Sequence, residues 1–438
     1  MTLPGGRPAI PDEHPGWAPS ILRGFLVFLL IAAIGIFAAV TTFALAVPNV
    51  SFVGALRVGA LYLGPFHHVA LVFEGDLAVD ASRLPRANIP AGGSATVELG
   101  VALLAVTTLA VWLLFRAGRS SAFGQRPGVR GLTGARVAFG YAPPVELVAL
   151  LVRFDEPVEL GSFVSGGVRV SLSLWQALVF PFVLAALAGA SGGVWSWASS
   201  ARERPSAVRA RAVLGGGWRM FLLAIALSYA GLFVAGIVQP DEPVALATPS
   251  TARYFGTVLE RPGPGAAILA HHLALSPNEA IWTLVPAEGG CDVVRGSEGA
   301  DILCYRWFPS LVASSGEVAF GNAPAGYLAF LLVPAIATIA GGRWAGSASG
   351  RSGVGSVVVG LAAGVVFAVV MLAGCVLSSI TLSYGTTAGS VGRGGHLWIG
   401  PHPVTGTLFA LAWGVAGGAL GAATAGFRGW TAGRTRSG

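Results

Sequence analysis

The sequence predicts an all-α polytopic integral membrane protein of about eight transmembrane helices, arranged as two parallel four-helix repeats under an extracytoplasmic loop cap. Three observations carry this reading. Of 438 residues 54% are hydrophobic and 11% charged, against about 25% charged in a typical soluble domain. The apolar residues gather in runs close to the 20 or so that cross a bilayer as helix. All 27 basic residues are Arg, and they fall mostly in short stretches between those runs.

The first 20 residues are polar and rich in Pro (Pro4, Pro8, Pro11, Pro15, Pro19), the composition of a disordered cytoplasmic tail. Ile21 to Ala46 is the first span. It ends Ala44-Leu45-Ala46, like a signal-peptidase site, but exceeds the 7 to 15 residue apolar core of a signal peptide and is read as retained. Leu99 to Phe115, Val137 to Val152 and Leu174 to Trp197 complete the first half, residues 21–215, whose outer loop is 48–98. The second half, residues 216–427, holds Met220 to Val238, Ala325 to Gly341, Val354 to Leu382 and Val404 to Phe427, with an outer loop at 239–322. Residues 428–438 form a basic cytoplasmic tail.

Within the first outer loop, Gly54 to Phe73 is apolar but interrupted by Arg57, Pro65 and a His pair. That suits an interfacial or re-entrant helix, since interrupted backbone is tolerated at depth only when it is buried in protein or lines a cavity. In the second, Ser276-Pro277-Asn278-Glu279 has the capping-box pattern and predicts a short helix starting there and reaching about Val285.

Orientation follows the positive-inside rule. With both termini cytoplasmic, the inner segments hold 17 Arg and three acids (Asp12, Glu13, Glu203), and the outer segments hold 10 Arg and 16 acids. An even number of spans keeps these classes apart. The expected location is therefore a plasma membrane, and the Arg-only, Ala-, Gly- and Val-rich composition suggests a bacterial one.

The halves resemble each other. Arg23-Gly24-Phe25-Leu26 opens the first span and Arg219-Met220-Phe221-Leu222 the fifth; His67-His68 follows the one and His271-His272 the other. Four spans per half keep both in one orientation, so a duplication would be parallel, about an axis along the membrane normal. Gly189 with Gly193, Gly414 with Gly418 and Gly417 with Gly421 form small-residue seams, expected to pack the fourth and eighth spans together at that axis.

Several chemistries are excluded. Without Lys there is no P-loop lysine and no Schiff base, and HExxH, GxGxxG and CxxC motifs are absent. The basic balance comes from topology-setting loops, so no nucleic acid is expected. The partners are the bilayer and an undefined small ligand or envelope protein. No resident cofactor is expected.

The polar oddities are few. Glu146, after Pro143-Pro144, is the one acid inside a span, and an ionisable group at depth is a functional-site hypothesis; Arg136 and Arg153 are its nearest sequence partners. Six of seven His lie in outer segments: His67, His68, His271, His272, His396 and His402. If they converge they could bind a transition metal through neutral imidazole; otherwise they sit as amphipathic interface residues. Cys291 and Cys304, 13 apart in a polar stretch, suit a disulfide in an oxidising compartment, while Cys375 lies in an apolar run.

Function stays open between three classes at this level. Transport through a pathway between the halves, with Glu146 as coupling carboxylate, is the first. A non-catalytic envelope protein whose outer cap binds a ligand or partner is the alternative, and an outer-face enzyme on lipids or envelope precursors is weaker.

Overall fold

The computed structural model describes residues 17–46, 51–79, 92–160, 164–200, 205–238, 262–297, 301–305, 329–388 and 391–434. The first half comprises α1 (Trp17–Ala46), α2 (Phe52–Leu61), α3 (Leu63–Phe66), β1 (Leu71–Val79), β2 (Gly92–Gly100), α4 (Leu104–Ser121), α5 (Arg130–Ala135), α6 (Ala138–Leu151), β3 (Phe154–Leu160), β4 (Val164–Leu172) and α7 (Leu174–Ser200). The second comprises α8 (Pro205–Val238), α9 (Pro262–Glu288), β5 (Asp292–Arg295), β6 (Asp301–Tyr305), α10 (Leu332–Ala348), α11 (Val354–Ser378), β7 (Ile380–Ala388), β8 (Val391–Pro401) and α12 (Pro403–Arg434). Most of the N-terminal tail lies outside the described residues, and its last residues, Trp17 to Ser20, belong to α1 rather than to a disordered tail.

The chain is mostly helical, and among the described residues six helices are long and apolar enough to cross a membrane: α1, α7, α8, α10, α11 and α12. The runs read as second and third spans fall on α4 and α6, which are not among the six. α4 starts at Leu104 because residues 92–100 are strand, and it ends on Arg116 and Arg119; α6 has 14 residues, with α5 set before it across a turn at Arg136 and Val137.

The largest correction is a β-sheet. The segments read as outer loops contain eight antiparallel strands in one sheet, ordered β3-β4-β1-β2-β7-β8-β5-β6. Cross-strand neighbours share a face, and the two faces differ. Leu172, Leu71, Leu99, Leu382 and Leu397 form one apolar row, and Phe154, Val170, Phe73, Val97 and Tyr384 the next. On the other face run Ser171, Val72, Glu98, Ser383 and His396, then Asp155, Arg169, Glu74 and Thr96. Arg169 Nε donates to Asp155 Oδ1 at 2.8 Å and its guanidinium stands 3.6 Å from Glu74. This alternation is the half-buried strand signature, masked in the sequence by Gly-rich hairpins. The edge strand β3 carries Pro157 among Asp155, Glu156 and Glu159, residues that discourage a further strand from pairing. The strand β7, inside the sheet, has no charged residue.

Helices α7 and α12 lead out of the sheet, and their far ends meet the Arg-bearing turns. Trp17 at the start of α1 packs on Phe139 near the start of α6 and lies under the Arg136 guanidinium. Arg23 donates to Ser121 Oγ at 3.0 Å, Arg116 lies over Trp112 and Arg219 over Trp344. The Arg of α1, α4 and α8, and Arg136 before α6, thus collect at the end of the bundle away from the sheet. The sheet end holds Glu74, Asp76, Glu98 and Asp155.

Glycine sets the helix spacing. A Cβ on Gly118 or Gly134 would strike the carbonyl of Gly189, one on Gly342 or Gly360 the carbonyl of Gly418, and one on Gly364 the backbone of Gly414. The seams therefore pack within their own halves, α7 on α4 and α5 and α12 on α10 and α11, rather than on each other; the partner glycines sit on neighbouring spans of the same half. The capping box also differs. α9 runs unbroken through Ser276, whose hydroxyl bonds back to the Leu273 carbonyl at 2.8 Å, while Asn278 accepts from Leu104 N at 3.2 Å and donates to Ala102 O at 2.7 Å. Asn278 thus fastens α9 to the start of α4 in the other half.

Because Gly418 leaves no room for a side chain and Gly128 meets nothing within 4 Å, Gly418→Val should cost at least the roughly 1–3 kcal/mol typical of overpacking, and Gly128→Ala should be near neutral. Thermal unfolding of the two variants in detergent micelles checks the contrast.

Candidate functional site

The polar chemistry concentrates where helices turn into the sheet. In the first half α3 ends at Phe66, His67 closes the turn, and His68 adopts the left-handed conformation at φ 60°, uncommon for a residue with a Cβ. Val69 N then donates to Gly64 O at 2.9 Å and β1 begins; Ser173 N, at the end of β4, donates to Ala70 O at 2.9 Å and α7 departs. The second half repeats the turn. α9 ends at Glu288, Gly289 has φ 106°, Gly290 N donates to Val285 O at 2.9 Å, and His402 N donates to Cys291 O at 2.9 Å before α12. At each elbow one amide bonds back into the incoming helix and one ties the start of the next helix to the turn.

The first elbow is polar but satisfied. His67 is buried, with Nδ1 2.6 Å from Leu63 O and Nε2 2.5 Å from the Tyr141 hydroxyl. A carbonyl only accepts, so Nδ1 carries the proton and Nε2 accepts from the tyrosine. Burial holds the imidazole neutral, pushing its pKa down to about 4 against the weaker opposing effect of Leu63 O. Around it Leu103 N donates to Pro65 O at 2.8 Å and Thr107 Oγ1 to Phe66 O at 2.8 Å.

The second elbow places an acid at the same turn position. Glu288 is 3% exposed and neither carboxyl oxygen has a hydrogen-bond partner among the described residues. Asp292 four residues on is fully buried, and both carboxyls are near enough to act electrostatically on the buried Cys375 thiol. The main-chain carbonyl of Glu288 accepts from Trp413 Nε1 at 3.0 Å. Burial pushes the Glu288 carboxyl well above the ordinary carboxylate range.

The remaining expected residues are dispersed. Glu146 is half-buried on α6, with Oε2 buried and without a hydrogen-bond partner. Neither expected Arg pairs with it: Arg136 lies over Trp17 at the start of α6, and Arg153 is exposed beyond its end. His68 stacks near Phe180, His396 lies on β8 with Nδ1 2.9 Å from Ser383 Oγ, and His402 accepts from Thr405 N at 3.2 Å to cap α12. His271 and His272 belong to α9, their side chains outside the described residues. Among the described residues no group of three His, Cys, Asp or Glu is placed to hold a metal ion. Cys291 and Cys304 form a disulfide with Cα atoms 5.6 Å apart, bordering a small apolar cluster with Val293 and Trp398.

Sequence reasoning missed Tyr141, Asn278, Glu288 and Asp292. The Glu288-Gly289-Gly290 string was a usable signal, an acid directly before a turn that needs positive φ; Tyr141 and Asn278 have no local signature. No protein-family model matches the chain, and neither does any curated protein or solved structure.

The unfolded chain takes up a proton on His67 near pH 6.5 and the folded chain only near 4, so stability should fall as pH drops through that window and be fully present above it. His67→Asn should flatten this acid limb. Tyr141→Phe should cost about 1–3 kcal/mol by leaving Nε2 buried without a donor. Unfolding midpoints measured across the pH window check both.

Proposed function

We propose that this chain is a plasma-membrane protein of eight spans with both termini cytoplasmic, built as two parallel copies of one four-span unit. It works as an anchored extracytoplasmic binding protein, whose sheet presents a polar face to a ligand or envelope partner. The observation that carries this reading is the division of polarity. The helical interior is closed by glycine-to-backbone contacts and two large apolar clusters, and its buried hydroxyls at Thr338, Ser196 and Ser349 bond carbonyls of their own helices. The charged and hydrogen-bonding groups stand on the sheet, at Glu74, Asp155, Arg169, Glu98, Ser383 and His396.

The repeat is supported by matching contacts. Gly118 meets Gly189 as Gly342 meets Gly418; Gly192 meets Phe115 O and Arg119 N as Gly421 meets Ile339 O and Arg343 N. The elbow bonds also match: Val69 N to Gly64 O with Gly290 N to Val285 O, and Ser173 N to Ala70 O with His402 N to Cys291 O. On this alignment α4 and the α5–α6 pair are the counterparts of α10 and α11, which supports counting them as spans. The Arg at the end opposite the sheet support the orientation.

Transport is the second reading, favoured by the unpartnered buried Oε2 of Glu146. One labelling series separates the two. The native chain offers Cys375, which is buried, and a disulfide, so single cysteines report cleanly. An impermeant thiol reagent on intact cells should label Asp76→Cys on the sheet and not Phe123→Cys at the opposite end. Glu146→Cys should stay unlabelled from both sides; labelling at 146 would replace the anchored-sheet reading with a water-filled pathway.

A further inference from the structure

We propose that Glu288 is a proton-binding site: its carboxyl carries a proton while the second elbow is closed, and loss of that proton opens the junction of α9 and β5 to water. The inference rests on the elbow itself and is independent of what the sheet binds.

The geometry disfavours an anion at this position three times over. The side chain is 3% exposed with both oxygens unpartnered, so an ionised carboxylate would lose its hydration without compensation. Glu288 is the last residue of α9, where the aligned peptide dipoles of the helix place a partial negative charge that disfavours an anion. Asp292, also buried, adds acidic chemistry four residues away.

Among the described residues, the elements packed around it place no cation within hydrogen-bond range of the Glu288 carboxyl. β5 contributes Asp292 and Arg295, and Arg295 lies over Trp398; α11 contributes Cys375; His402 caps α12; and β8 contributes His396, bonded to Ser383. On α8, Tyr229 is coupled to Glu279, one helical segment before the elbow. The Arg of α1, α4, α8 and α10 stand at the other end of the bundle. At the same turn in the first half sits a neutral side chain, His67, with both ring nitrogens bonded. A protonated Glu288 gives the second elbow the same neutrality.

The proton comes from water and returns to it; no bond other than the carboxyl O–H forms or breaks. The folded chain holds this proton to higher pH than the unfolded chain does, so the stabilisation is present at acid pH and is lost as pH rises toward the folded-state value, the unfolding constant growing about tenfold per pH unit in that range.

Cys375 is a native reporter, buried beside the elbow and the one free cysteine among the described residues. Full-length protein in detergent micelles, grown with isotope-labelled glutamate, should show at neutral pH the carbonyl stretch of a protonated glutamic acid in the infrared, lost at alkaline pH and absent from Glu288→Gln; Glu146→Gln should retain it. In parallel, small maleimides should label Cys375 faster in the wild type than in Glu288→Gln as pH rises. An ionised Glu288 in a closed elbow would instead slow that reaction by disfavouring the thiolate, so the sign separates opening from a local charge effect. The proposal is overturned if no glutamic-acid carbonyl is present at neutral pH, if it survives Glu288→Gln, or if labelling slows. It is overturned also if sodium or calcium raises the unfolding temperature of the wild type and not of the variant, which would put a cation in the proton's place. Should Glu288→Gln fail to fold, the infrared titration of labelled wild-type protein against Glu146→Gln still decides.

Discussion

The fold depends on keeping the backbone hydrogen-bonded where helices leave the apolar layer. A peptide group in hydrocarbon without a partner costs several kcal/mol, and a helix end carries four such groups. At each elbow a residue of positive φ turns the chain, the following amide bonds back to the helix, and the returning strand delivers its own amide to the turn before the next helix starts. The sheet follows from this device, since strands that leave side by side are already in register.

Side-chain chemistry then differs between two turns of nearly the same backbone. The first uses His68, a strained choice, and buries an imidazole with two partners. The second uses Gly289, which adopts positive φ readily, and buries a carboxyl with no hydrogen-bond partner among the described residues. Similar backbone geometry thus supports one closed hydrogen-bond chain and one buried carboxyl without a hydrogen-bond partner among the described residues.

The helices were legible because apolar runs and Arg-bearing turns are local signals; α1, α7, α8, α11 and α12 fall where hydropathy puts them. The sheet was not, although alternation is plain in Val168-Arg169-Val170-Ser171-Leu172 once strands are considered. Gly and Ser at the hairpins and the shortness of the runs read as loop, and the low charge of the chain drew attention to spans. The glycine seams were found but their partners were not, because a small-residue stripe shows which face approaches another helix and not which helix. Glu146 and the outer His drew attention as rare residue types. Glu288 did not, because its burial arises only when α9, α11 and α12 converge.

The pairing of β2 with β7 runs from Gly93–Ala388 to Gly100–Thr381 and joins one half of the molecule to the other through main-chain bonds. Side-chain packing between the halves rests on α9 against α1 and α4, so this ladder acts as a splint across the seam. A rocking motion of one half against the other would have to shear the ladder along its length. Rigidity at the seam therefore favours melting as a single cooperative unit, in which the halves lose their structure together.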